Sequence, residues 1–256
     1  LVESRAARPV VSASSLRLLS LPLLLIGWEI AGDLAATRLF PPASTVMGAM
    51  WHEATAGALL ENLAITTARV VAAFAISMIL GVALGLAMGL WRRVDAIFDS
   101  WLIVLLNIPA MVLIVLVYIW FGLTETAIIV SVSLNKLPAT AVIIREGART
   151  VDRSFMDMAA SFRMSRWRTV RHVFLPQIYP YLIASARSGL ALIWKIVLVA
   201  EYLGRSSGIG FQIQIYFQLF DVTRILAYSL AFILLIQAVE WGLLQPLERR
   251  AARGRR

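Results

Sequence analysis

The stretch AITTARVVAAFAISMILGVALGLAMGL, residues 64–90, carries a single charge, Arg69, in 27 positions. A helix of that length exceeds the roughly 20 residues needed to cross a ~30 Å hydrocarbon core. Along it Ala73, Ser77, Gly81, Gly85 and Gly89 recur every four residues. On a helix this draws a smooth stripe that lets a second backbone come close. Two readings of the stripe are open, tight packing inside a bundle and the lining of a pore.

Five further apolar segments flank this one, at residues 18–36, 101–121, 127–144, 181–203 and 225–246. Asn107 and Pro109 fall early in the third span, and Asn135, Lys136 and Pro138 interrupt the fourth. Such residues are tolerated where neighbouring helices satisfy the freed backbone groups. The expected fold is an all-α polytopic membrane helical bundle of about six transmembrane helices, one domain over residues 1–256. Hydrophobic residues make up 60% of the chain, more than a soluble domain of this size needs. The first apolar run continues to Glu29 and Asp33 without a small-residue cleavage site, so it reads as a span and not as a cleaved signal.

A net charge of +9 would suit nucleic acid, but the arginines gather at the ends of apolar runs, where they set topology. Nucleic acid is therefore not an expected partner; the lipid bilayer is. With the amino terminus inside, seventeen of the 24 basic residues fall on one face, and Arg38, Arg69, Arg205 and Arg224 on the other. The tails, 1–15 and 248–256, are accordingly expected in the cytoplasm. The absence of cysteine excludes disulfides and thiolate sites, and His52 and His172 are too far apart in sequence to suggest a metal site.

The longest basic segment, about 145–180, holds Arg145, Arg149, Arg153, Arg163, Arg166, Arg168 and Arg171 and no lysine. Phe155, Met158, Ala159 and Phe162 recur at helical spacing, and Trp167, Val170 and Phe174 form a second short stripe. The pattern predicts two short amphipathic helices meeting near 163–165. Pro176 would end the second, and Pro180 would precede the next span. A surface bearing Phe162, Trp167 and Phe174 needs a partner or a membrane to cover it.

Here the chain resembles a known family. Asp157-x-Ala159, a small residue, and a helix ending in Leu175-Pro176 are similar to the cytoplasmic "EAA" loop of binding-protein-dependent ABC importer permeases. Phe40-Pro41-Pro42, the glycine ladder running into Arg92-Arg93, Ile119-Trp-Phe-Gly122, Ala200-Glu201 and Ser207-Gly-Ile-Gly210 are similar to the nitrate/sulfonate/taurine type. The resemblance implies a type I importer fold in a bacterial inner membrane and a second copy of the permease. It also implies an ATPase dimer carrying ATP and Mg, and a solute-binding protein outside. Asp157, Met158, Ala159, Phe162, Arg163, Ser165 and Trp167 would form the ATPase-coupling element. The family usually has glycine where Arg163 stands and glutamate where Asp157 stands.

Within the spans, Arg187, Trp194 and Glu201 lie seven apart and share a helical face. Glu201, beside a glycine-bearing bend, reads either as part of the translocation path or gate or as a buried ion pair. Lys136 and Lys195 would make a path with Trp194 favourable to anions. Glu29 and Glu240 read as structural groups near the interfaces. The chain has no Gly-x-x-x-x-Gly-Lys-Ser/Thr phosphate cradle. It shows no catalytic constellation either, so it is not expected to be an enzyme. A stand-alone secondary transporter or channel is the alternative class; inverted repeats would mark one, and no internal repeat is evident.

Overall fold

The computed structural model describes residues 13–246. The ends of both tails, on which the expected orientation of the termini partly rests, lie outside the described residues. Among those described the chain is helical and has no strand. In order come α1 (Ala13–Ala35), α2 (Ala43–Thr55), α3 (Leu59–Leu90), α4 (Arg92–Asn107), α5 (Ala110–Phe121) and α6 (Glu125–Arg149). They are followed by α7 (Arg153–Ser161), α8 (Arg166–Thr169), α9 (Leu175–Gly204), α10 (Ile209–Gln218) and α11 (Val222–Val239). Among the described residues, four helical runs are long and apolar enough to cross a membrane, or five if α4 and α5 count as one broken span.

The expected third span, 101–121, is not one helix. Ile108 and Pro109 leave the helical region (ψ 122° and 135°), and α4 and α5 meet at 100°. Proline has no N–H to continue the ladder, and its ring pushes the preceding residue into extended backbone. The fourth span is corrected in the other sense: α6 runs unbroken through Pro138 and past residue 144 to Arg149. The basic loop is therefore shorter than 145–180. Arg145 and Arg149 are helical and pair with α4, Arg145 with Asp99 at 2.5 Å and Arg149 with Asp95 at 2.5 Å.

The second helix of the loop does not end at Pro176. It continues from α8 through a π turn, Val170–Phe174, directly into α9. The Leu175 N–H closes this turn on the Val170 carbonyl. Pro176 then stands in the first turn of α9, where a missing N–H is tolerated. The wider turn just before it lets the chain change register without breaking.

The small-residue stripe is a packing surface. A Cβ added at Gly81 would lie 2.7 Å from Thr140, one at Gly85 2.5 Å from the Ala141 carbonyl, and one at Gly89 2.5 Å from Ala148. Ser133 adds a hydrogen bond to the Ala73 carbonyl at 3.2 Å. With α3 against α6, the stripe has no open pore face. Around this pair Ile114, Val117, Ile128, Val132, Ile193, Trp194, Val197 and Tyr228 form the buried core.

Candidate functional site

Before the Leu175 end of α9 the loop is built from local caps. The Asp152 carboxylate accepts the Ser154 N–H at 2.8 Å and the Ser154 hydroxyl at 2.6 Å, opening α7. These two bonds hold the Asp152 carboxyl below its ordinary range. The Asp152 N–H donates to the Gln177 side chain at 2.9 Å, tying the start of α7 to α9. At the other end of α7 the Arg163 N–H bonds the Ala160 carbonyl at 2.9 Å and the Met164 N–H bonds the Ala159 carbonyl at 3.0 Å. This is the Schellman pattern, with Arg163 in the left-handed position at φ +51°. Arginine thus adopts the turn that suits glycine. Ser165 then caps α8, its hydroxyl accepting the Arg168 N–H at 3.4 Å.

The predicted stripe splits across this scaffold. Ala159 is 1% exposed, whereas Phe155 is 50%, Met158 49%, Phe162 76% and Trp167 70% exposed. The Asp157 side chain is exposed and has no bonding partner among the described residues; nor do the side chains of Arg153, Arg163, Arg166, Arg168 and Arg171. The structure therefore leaves the predicted coupling residues Asp157, Met158, Phe162, Arg163, Ser165 and Trp167 exposed, and turns Ala159 inward.

The Gly204 end of α9, about 45 Å from Leu175 at 1.5 Å per residue, is closed. Glu201 is fully buried. Its carboxylate accepts Arg69 at 2.7 Å, the Thr66 hydroxyl at 2.9 Å and the Gly210 N–H at 2.9 Å. Arg69 also bonds Glu125 at 2.6 Å and the Ser207 carbonyl and hydroxyl, each at 2.8 Å. Arg205 bonds Glu125 and the Leu123 carbonyl. Asn62 and Thr66 accept the N–H groups of Gly208 and Ile209 at 2.6 and 2.9 Å. Gly208 has φ +101°, and a Cβ there would strike the Glu201 carboxylate. The Glu201 carboxylate keeps no face for a solute, so of its two readings the geometry favours the buried ion pair over a path-lining group.

Trp194 is likewise core, edge-on to Phe232 at 5.7 Å. Lys136 is buried and Lys195 exposed. Arg187 pairs with Glu240 at 3.0 Å. Glu29 takes the Ser44 N–H at 2.8 Å, fastening α1 to the start of α2. Reading the sequence missed Thr66 and Arg69 as partners of Glu201, Glu125 and Ser207 as partners of Arg69, and Asn62 as the acceptor of the Gly208 N–H. A signal existed: residues 62, 66 and 69 prolong the face of the small-residue stripe by helical steps of four and three.

Residues 77–243 match the model of the family described as "Binding-protein-dependent transport system inner membrane component". The chain belongs to this family. It is 34% identical over 186 residues to SsuC of Escherichia coli (strain K12), whose name assigns it to aliphatic sulfonates transport as a permease protein; the match covers 72% of this chain and 71% of SsuC. TauC of the same organism, a taurine transport system permease protein, is 27% identical over 89% of this chain and 85% of its own. A chain from a crystal structure of an amino acid ABC transporter with histidines has the same fold, with a TM-score of 0.60 and 20% identity. That likeness covers 75% of this chain and 93% of the other.

Proposed function

We propose that the chain is the permease subunit of an ATP-driven importer and that two copies line the path for a small solute, an organic or inorganic anion. The exposed α7–α8 surface carries this reading. Its backbone is fixed by caps at both ends of α7, while Phe155, Met158, Phe162, Trp167, Asp157 and the arginines are left for a second protein to cover. A preformed helix that presents exposed aromatic and charged side chains fits a groove in a cytoplasmic ATPase. Closure of two ATPase subunits would pull on α7 and, through the Asp152–Gln177 bond and the continuous α8–α9 helix, on the fifth span. In this reading the loop and both tails lie on the cytoplasmic side, and the Glu201 clamp lies toward the face that receives a solute-binding protein.

Asp157→Lys, or deletion of residues 157–163, should abolish uptake in cells and ATPase co-purification, while the chain still inserts in the membrane. Wild-type uptake after both changes would remove the proposal.

A further inference from the structure

The buried and exposed faces of α9 divide cleanly. Ile193, Trp194, Val197 and Glu201 face the bundle, and Ala184, Ser188, Leu192, Lys195 and Val199 form an exposed stripe at steps of three and four. Lys195 lies about 13 Å from the Gly204 end of the helix, and Ser188 about 10 Å further in. An ammonium at such a depth is expensive against hydrocarbon and normally faces a wet cavity or a partner charge.

A second lysine reaches the same stripe from behind. Lys136 of α6 crosses α9 where residue 189 is glycine; a Cβ there would sit 2.7 Å from Lys136 Cε. Its ammonium donates to the Ser188 hydroxyl at 3.5 Å, its one hydrogen bond among the described residues. Lys136 is only 2% exposed, and an ammonium has three donors to place. No carboxylate bonds either lysine among the described residues, since Glu125 and Glu201 are taken by Arg69 and Arg205. Two uncompensated cations thus converge on one exposed stripe within two helical turns.

We infer that the Ser188–Lys195 stripe is an anion subsite of the translocation path, with Lys195 facing the solute and Lys136 supporting it through Ser188. The ligand class is a small organic anion with a compact oxyanion head, a sulfonate or a carboxylate. The inference rests on the permease reading and gives it a substrate class.

The chain has no cysteine, so Ser188→Cys or Leu192→Cys introduces a single thiol on the stripe; the latter leaves the Lys136–Ser188 bond intact. Each is assembled with its ATPase in nanodiscs of zwitterionic lipid, which removes anionic headgroups as a source of charge. The probes are sulfonatoethyl methanethiosulfonate and its trimethylammonium counterpart, their rates normalised to a free thiol in solution. Both thiols should react, with the anionic reagent preferred. Lys195→Gln should slow the anionic reagent roughly tenfold and speed the cationic one by about the same factor, the size expected for one charge ~10 Å away at an effective dielectric near 20; Lys195→Arg should keep the wild-type preference. No reaction at either position, or a preference unchanged by Lys195→Gln, overturns the subsite. Failure of the ATPase to co-purify with the wild-type chain would instead strike the permease reading, and is scored separately.

Discussion

The two ends of α9 solve opposite problems with the same kinds of residue. At the Gly204 end Arg69, Glu125, Glu201 and Arg205 bond one another and the backbone of the 207–210 turn. Before the Leu175 end the side chains of five arginines and Asp157 have no partner in the described chain and stand beside exposed Phe162 and Trp167. A charge withdrawn from water must be paired and hydrogen-bonded or it destabilises the fold. A charge left in water carries no such demand and stays free for another protein. One end is a closed clamp and the other an open, pre-shaped contact surface. The proposed function, passing force between two partners, needs both, a rigid anchor and an exposed handle.

The largest test of that contrast removes the centre of the clamp. Arg69→Ala leaves Glu201 buried without its cation, and breaking a buried pair in this way costs about 3–5 kcal/mol. The purified variant should lose that stability in thermal unfolding, with the 204–210 turn exchanging amide hydrogens first. Asp157→Ala at the open end should move unfolding by no more than about 0.5 kcal/mol. Equal losses from the two changes would erase the distinction.

A smaller effect sits between the ends. Gly85→Val places a side chain against the Ala141 carbonyl and Ile144, where even a Cβ would be 2.5 Å from backbone. Overpacking of this kind costs about 1–3 kcal/mol. Gly48→Val, on α2 where a Cβ meets nothing within 4 Å, is the control and should unfold close to wild type.

How much of this was legible in the sequence follows from the range of each interaction. The stripe from Ala73 to Gly89 could be read because helical spacing alone places those residues on one face, and the packing against α6 confirms that face. The aromatic surface of α7 and α8 was legible for the same reason. The Arg69–Glu201 bond was not, since its partners lie 132 positions apart on separate helices and neither helix's periodicity points to the other. The prolines misled in both directions. Pro138 sits inside an unbroken α6, Pro109 splits a span by 100°, and Pro176 follows a π turn instead of ending a helix. Each outcome depends on which neighbours satisfy the freed carbonyls, and local sequence does not record that.

The smallest predicted effect is the most discriminating for the open end. Arg163 holds the left-handed position of the α7 cap at φ +51°. A residue with a Cβ gives up about 1–2 kcal/mol there, whereas glycine avoids that strain and loses about 0.5–1 kcal/mol of chain entropy on ordering. Arg163→Gly should therefore stabilise the cap by up to about 1 kcal/mol, read as slower hydrogen exchange at the Arg163-equivalent and Met164 amides. If the arginine is kept only because the turn tolerates it, uptake should be unchanged or slightly higher in Arg163→Gly. If its guanidinium meets an acidic group on the ATPase, uptake should fall while the cap tightens, and Arg163→Lys should restore most of it by returning the charge without relieving the turn. Stability and transport moving in opposite directions would show that the open end trades local strain for contact with its partner, which the closed end has no reason to do.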